Sequence, residues 1–350
     1  MTKLVDTLHR VLADPLQGLR PTGGGVGYVG ADVPLDVLLA TGRPVAHLPW
    51  IPDRPTPRAD AWLESSFPGW ARSMLEDWAQ GQFDCFDEVV FSRGEDAVQR
   101  LYYYVCELQR RGLLGGPRPM IFDIARIPRE SSLRHTHRSV RRLCEGLGVD
   151  DAALSRGIDR CNLRRALYAR VEAGRQGDGA LYALIARASL HADLDAVLAA
   201  DAWPVARPVR GRVLLAGSVP PDERLHRAVE RTGWSITGEQ HECALTRLGP
   251  PIPRDADPTA AVAAQRHAAR HGPRGFGDPT EALREAVDRS RARAVLLWLT
   301  REDEALAWHV PAQRASLAAA GIPALILTAR QWDADDGALT EIKDFFEALQ

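Results

Sequence analysis

Residues 212–232 read RVLLAGSVPPDERLHRAVERT, and this stretch decides the fold. Arg212 to Gly217 is a short apolar run of strand length, of the kind found where a strand is buried on both faces. Gly217 and Ser218 make a small-residue turn, and Pro220, Pro221 and Asp222 then open a helical pattern over residues 222–232. A strand, a tight turn and a helix form the repeating unit of a parallel α/β sheet.

The same alternation recurs outward from this unit. In the first half the spacing predicts strands at residues 26–30, 44–49, 88–93 and 119–124, with helices at 34–41, 67–80, 95–111 and 131–146. In the second half, strands are expected at 212–217, 234–240, 294–300 and 324–329, with helices at 222–232, 279–291, 304–320 and 337–349. Between the halves, residues 150–201 carry Ala, Leu and Arg at helical spacing without strand signal, which implies two or three helices. Residues 203–210, with two prolines, read as a linker, and residues 250–278, rich in Pro, Gly, Arg and His, read as a long loop. The expected architecture is therefore α/β, with two Rossmann- or flavodoxin-like parallel-sheet domains (1–148 and 204–350) joined by a helical insert (149–203). The expected ligand cleft lies between the domains, since open parallel sheets bind ligands beyond the carboxyl ends of their strands. That rule selects residues 30–33, 49–53, 92–96, 217–220, 241–244 and 300–304 for chemistry.

Composition excludes several classes. The 350 residues suffice for two cored domains. A formal charge of −2 gives no electrostatic case for nucleic acid as the main ligand. No apolar run approaches the roughly 18–20 residues of a membrane span, and the N-terminus lacks a signal-peptide apolar core. Five cysteines, an odd number without close pairs, fit a reducing cytoplasm rather than a disulfide scaffold.

The motifs are individually modest. Gly25, Gly27 and Gly30 match G-x-G-x-x-G, but the physics of pyrophosphate binding needs a strand before that motif and a helix directly after it. Here the motif itself has the character of the strand. The turn after Gly217 could offer free N–H groups to an anion, or simply join strand to helix. His135 and His137, two apart on a helix among arginines, do not face one ligand and read as a solvated basic face. Cys106, Cys144 and Cys161 fall inside helices as small hydrophobes, and Cys85 precedes a strand. Cys243 alone lies just past a strand's carboxyl end, where a single thiol can be a ligand, a nucleophile or packing, but cannot hold a cluster or a structural zinc. Acidic groups reach the cleft ends at Asp32, Asp36, Glu95, Asp96, Glu302 and Asp303. Arg93 and Arg301 beside them could pair with those carboxylates or bind an anionic substrate.

Taken together, the segments resemble the D-component family of 2-hydroxyacyl-CoA dehydratases, which includes the matching subunits of benzoyl-CoA reductase. GYVGADVP (27–34) and ATGRPV (40–45) resemble the family's opening strand, Pro-initiated helix and A-x-G-x-x-P-V return. DEVVFSRGEDAVQRL (87–101) resembles D-G-V-V-x-P-x-x-C-D-x-x-R-R-L, and ALSRGIDRCNLRR (153–165) resembles the insert L-x-x-A-I-x-x-Y-N-x-x-R. RVLLAGS (212–218) and AGIPAL (320–325) resemble R-V-L-x-x-G-S and G-I-P-V-L.

The resemblance implies two related subunits around a CoA-thioester pocket, a 4Fe–4S cluster on three cysteines, and an ATP-dependent iron–sulfur activator. In this chain the three cysteine positions fall on Pro68 (within FPGWAR, 67–72), on Glu95, and on Glu302 or Asp303. Soft iron needs thiolates, so no cluster, and no other metal, is expected in this chain. The expectation is a cluster-free subunit that pairs, as a heterodimer, with a related cluster-bearing one around an acyl-CoA-like ligand. The alternatives are a stand-alone redox-silent enzyme and a thioester-binding regulatory protein using the same cleft. For a redox-silent enzyme, Glu95 and Glu302 from opposite halves are the candidate base and acid. N–H groups after Gly217 would polarise the thioester carbonyl. Asp32, Arg72, Arg93, Gly217, Ser218 and Arg301 are the candidate substrate contacts.

Overall fold

The computed structural model describes residues 2–175, 177–200, 208–254, 257–269 and 277–349. All eight expected strands form, in two parallel four-stranded sheets. The first holds β1 (Gly25–Val29), β2 (Val45–His47), β3 (Phe86–Ser92) and β4 (Arg118–Phe122) in the order β2-β1-β3-β4. The second holds β5 (Arg212–Gly217), β6 (Ser235–Gln240), β7 (Ala294–Thr300) and β8 (Ala324–Arg330) in the order β6-β5-β7-β8. The two topologies are the same. In each, the chain reverses direction of travel beside its first strand, which opens a crevice at the strands' carboxyl ends.

Alternation along the strands supplies a core to both faces of each sheet. On β5 and β7, Val213, Leu215, Leu296 and Trp298 face the helices Arg224–Glu230 and Ala338–Ala348. Leu214, Ala216, Val295 and Leu297 face Pro279–Ser290 and Val310–Ala319. The glycine-rich stretch at residues 25–30 is β1 itself, as its sequence suggested. A Cβ on Gly27 would lie 2.8 Å from a Leu48 methyl and 2.9 Å from a Val89 methyl, so glycine there lets neighbouring side chains close over the strand.

The insert consists of Asp151–Ala173, Gly179–His191 and Asp195–Ala200. Asp150 and Asp178 cap the first two by accepting from Ala153 N (2.7 Å) and Leu181 N (3.0 Å). Asp151–Ala173 lies against the helix Leu35–Ala40, and the approach is close: a Cβ on Gly157 would sit 2.3 Å from the Asp36 carbonyl oxygen. Arg165, on the same helix, makes a two-pronged ion pair with Asp36 at 2.8 and 2.7 Å, with both side chains buried. Gly179–His191 is buried along almost its whole length between the two sheets. It binds the second half through Ala180 N to Glu230 (3.0 Å) and the first through His191 Nδ1 to the His47 carbonyl (3.0 Å).

Three departures from the sequence expectation stand out. Helices at Thr2–Ala13 and Pro57–Trp62 were not foreseen. The expected helix 304–320 is two helices, Glu304–Ala307 and Val310–Ala319, with Pro311 at the second one's start. Residues 250–278 are not a simple loop: they contain the helix Pro258–Ala268, capped by Asp257 through Ala260 N at 3.0 Å. Its alanine-rich face gave little periodic signal, although the Asp-Pro start is a proper helix opening. Together with a 3-10 turn at Leu245–Leu248, this segment leaves the second sheet and packs on the helices Glu130–Leu147 and Asp151–Ala173. Asn162 pins it by exchanging two hydrogen bonds with the Ile252 backbone (2.7 and 2.9 Å), and His137 reaches Thr259 Oγ1 (2.8 Å). The expected linker at 203–210 lies mostly outside the described residues.

The Asp36–Arg165 pair yields a prediction. Asp36→Asn or Arg165→Met leaves one buried charge uncompensated and should destabilise the chain by about 3–5 kcal/mol in urea unfolding. Asp36→Leu combined with Arg165→Met should recover most of that loss.

Candidate functional site

The strands' carboxyl ends meet at a cavity of about 660 Å³, counting its open mouth. Both halves build it. The first contributes Tyr28, Gly30, Ala31, His47, Trp50, Trp70 and Glu95; the second contributes Val219, Glu242, Cys243, Arg247 and Trp332; the insert adds Leu190. Trp50 also donates from Nε1 to the Pro221 carbonyl at 3.2 Å, which fixes the two halves beside the cavity.

The acidic corner follows from local backbone. β1 ends at Gly30, where φ is +95°. A Cβ there would lie 2.6 Å from Ser92 Cβ and 3.1 Å from Glu95 Oε1, so only glycine admits the Glu95 carboxyl against the turn. Glu95 Oε1 accepts from Ala31 N at 3.4 Å. Its other interaction is a hydrogen bond with Glu242, which stands just beyond β6 in the opposite half. Two carboxyl groups hydrogen-bond only when a proton lies between them. Burial, reinforced by the negative charge of Asp32, pushes Glu95 up to about 7. Burial and the charge of Glu95 push Glu242 well above the usual carboxylate range.

Two further carboxylates back this corner. Asp32 is buried in an ion pair with Arg126, which also donates to the Ala269 carbonyl at 2.7 Å. Asp303 is held by Ser218 and by Thr300 Oγ1 at 3.3 Å, and burial raises it. At the other end of the cavity, burial pushes the Cys243 thiol up to about 12 and holds His47 down at about 4, so both are neutral near pH 7. The His47 Nδ1–H donates to the Leu48 carbonyl at 2.7 Å.

Of the residues singled out in the sequence, Glu95 lines the cavity and Asp32 stands behind it. Gly217, with φ +113°, and Ser218 form the turn where β5 meets β7. The Ser218 N–H already donates to the Trp298 carbonyl at 2.7 Å, so it is not free to polarise a ligand. Arg72 fastens the segment before its helix through Asp60 (2.6 Å) and the Phe67 carbonyl (3.3 Å). Arg93 is exposed and paired with Asp123 at 2.8 Å. Arg301 is exposed, and neither it nor Glu302 lines the cavity. Glu242 takes the partner position that the sequence suggested for Glu302. It lies in the segment 241–244 that the strand-end rule selected, but its neighbour Cys243 drew the attention there. Tyr28 and Arg247 carried no sequence signal: one sits within β1, the other in an unforeseen turn.

The donor set does not suit an iron–sulfur cluster. The three positions at issue carry a proline at the N-terminus of the helix Gly69–Ala79, a carboxyl hydrogen-bonded to another carboxyl, and further carboxylates. Cys243 is the one thiol among the described lining residues. No group of three His, Cys, Asp or Glu among the described residues is arranged to hold a metal ion.

Two equivalent parallel sheets that face one crevice define an α/β protein with its site between the halves. The sequence profile of the family 2-hydroxyglutaryl-CoA dehydratase, D-component, matches residues 31–349, nearly the whole chain, and the protein belongs to that family. No curated protein matches the chain. No helix among the described residues is long and apolar enough to cross a membrane.

The carboxyl pair predicts a pH dependence of stability. A carboxyl raised from 4.5 to about 7 by folding contributes stability fully present below pH 4.5 and lost as pH rises through 7. His47 and His191, held at about 4 and about 3 by burial, act in the other direction: their contribution is present above pH 6.5 and falls as the pH drops below it. Thermal melts of wild type and Glu95→Gln should therefore diverge. The stability of wild type relative to the variant should fall by on the order of 2 kcal/mol between pH 4.5 and 7.5. A difference independent of pH would rule out a shared proton.

Proposed function

We propose that this chain is a cluster-free member of the 2-hydroxyacyl-CoA dehydratase family, seating the acyl end of a CoA-type thioester in the cavity between its halves and pairing with a related, cluster-bearing subunit. The observation that carries the reading is Glu95. By the resemblance in sequence it stands where the family has a cysteine; it lines the cavity and bonds to Glu242 from the other half. Metal-binding sulfur has given way there to a proton-binding pair.

Other features support it. The cavity wall is largely apolar, with Trp50, Trp70, Met74, Leu190, Val219 and Trp332 suited to an acyl chain. The cavity opens to solvent, which would leave the bulk of the nucleotide outside. The five cysteines are all free, in keeping with a reducing cytoplasm. Family membership brings the expectation of a partner subunit and of an ATP-dependent iron–sulfur activator that serves it.

Anaerobic purification of the full chain, with iron and acid-labile sulfide analysis, tests the central claim. We expect less than about 0.1 iron per chain when it is produced alone, against four for a [4Fe–4S] site. Iron should appear only when a second, cysteine-complete chain co-purifies. Four irons on the isolated chain would overturn the reading.

A further inference from the structure

We propose that Glu95 and Glu242 form an acid–base pair that moves a proton at the α-carbon of an acyl thioester, with the Tyr28 hydroxyl hydrogen-bonded to the thioester carbonyl oxygen. The inference rests on the thioester reading above and gives that cavity a redox-neutral chemistry of its own.

Three independent features meet in this cavity. The first is the carboxyl pair, assembled from opposite halves. Ala31 N–H donates to Glu95, which makes Glu95 the anionic member and Glu242 the protonated one. The second is Tyr28. It is only 8% exposed, it lines the cavity, and its hydroxyl has no hydrogen-bond partner among the described residues. The hydroxyl is not among the sealed, unpaired buried atoms, so it remains accessible from the cavity and can donate to a ligand oxygen there. Burial holds Tyr28 up at about 12, so it remains a donor. The third is Arg247, a lining cation without a carboxylate partner among the described residues. Its guanidinium is spent on neutral acceptors, Ala244 O (3.2 Å) and Ser189 Oγ (3.0 Å), while its Nε bonds to nothing described. It lies close enough to act electrostatically on Tyr28.

Negative charge is therefore welcome at the Tyr28 end and proton exchange is available at the Glu95 end. The step balances without a further reactant. The Glu95 carboxylate takes the proton from Cα as the C–H bond breaks. The electron pair moves through the new Cα–C double bond onto the carbonyl oxygen, where Tyr28 O–H donates to the enolate and Arg247 offsets its charge. Glu95, now protonated, exchanges with solvent or with Glu242 and returns a proton to Cα. Asp32, Asp303, Cys243, Arg187 and His47 are the other titratable or charged groups around the pair and its cavity. None of them is hydrogen-bonded to it.

The test uses the full chain and butyryl-CoA in D₂O. Calorimetry reports binding, and proton NMR reports loss of the α-methylene signal. We expect binding, and α-exchange above the buffer rate that falls at least about 100-fold in Glu95→Gln and in Glu242→Gln and about tenfold or more in Tyr28→Phe, with each variant still giving a cooperative thermal melt well above the assay temperature. Binding without exchange overturns the acid–base role and leaves the thioester pocket standing; failure to bind overturns both. Should the glutamine variants not fold, the infrared spectrum of ligand-free wild type decides. A protonated carboxyl band that persists at pH 7 is required, and its absence overturns the pair.

Discussion

The buried ion pair of Asp36 and Arg165 holds the insert to the first half, and much else follows from where it stands. Asp36 lies on the short helix that follows β1, while Arg165 lies on the long insert helix. Arg165 also donates to the Leu248 carbonyl at 3.1 Å, in the segment that comes across from the second half. One guanidinium thus joins three parts of the chain. Such a pair adds little net stability over a well-packed apolar alternative, but it fixes a single arrangement, because any other leaves a charge unpaired. The arrangement it fixes places Glu95 and Glu242, which belong to different sheets, within one hydrogen bond of each other.

That juxtaposition gives the crevice a polar site made by both halves. Glu95 and Glu242 stand where strand ends from the two halves converge. Carboxyls put there cannot bind soft iron, but they cannot be left as two charges either. They share a proton, and the apolar surroundings that would shield a cluster then raise the pair's affinity for that proton. Such a pair stores a proton where the two halves meet.

Most of the architecture was legible in the sequence. Eight short apolar runs, each followed by a turn and a helical pattern, forced two parallel sheets, because strands of that kind must be covered on both faces. The strand-end rule located the cavity and brought out Glu95. What remained hidden was whatever depends on partners distant in the chain. Glu242 was inside a selected segment, yet nothing in HEC announces a carboxyl facing Glu95. Tyr28 alternates along β1 as any core residue would, and only the cavity distinguishes its hydroxyl. Ser218 seemed to offer a free amide, but the close approach of β7 consumes it. The helix Pro258–Ala268 escaped because small side chains leave little periodicity to read, and its packing surface lies in the other half.

That last helix has a wider bearing. The turn Leu245–Leu248 and the helix Pro258–Ala268 lie across the helices of the first half, and the helix Pro279–Ser290 is again packed on the second sheet. The two sheets are therefore not separable modules strung on a tether. The amino-terminal half is clad in part by chain that follows β6. Separating the halves would strip that covering from the helices Glu130–Leu147 and Asp151–Ala173 and expose the apolar side chains beneath it.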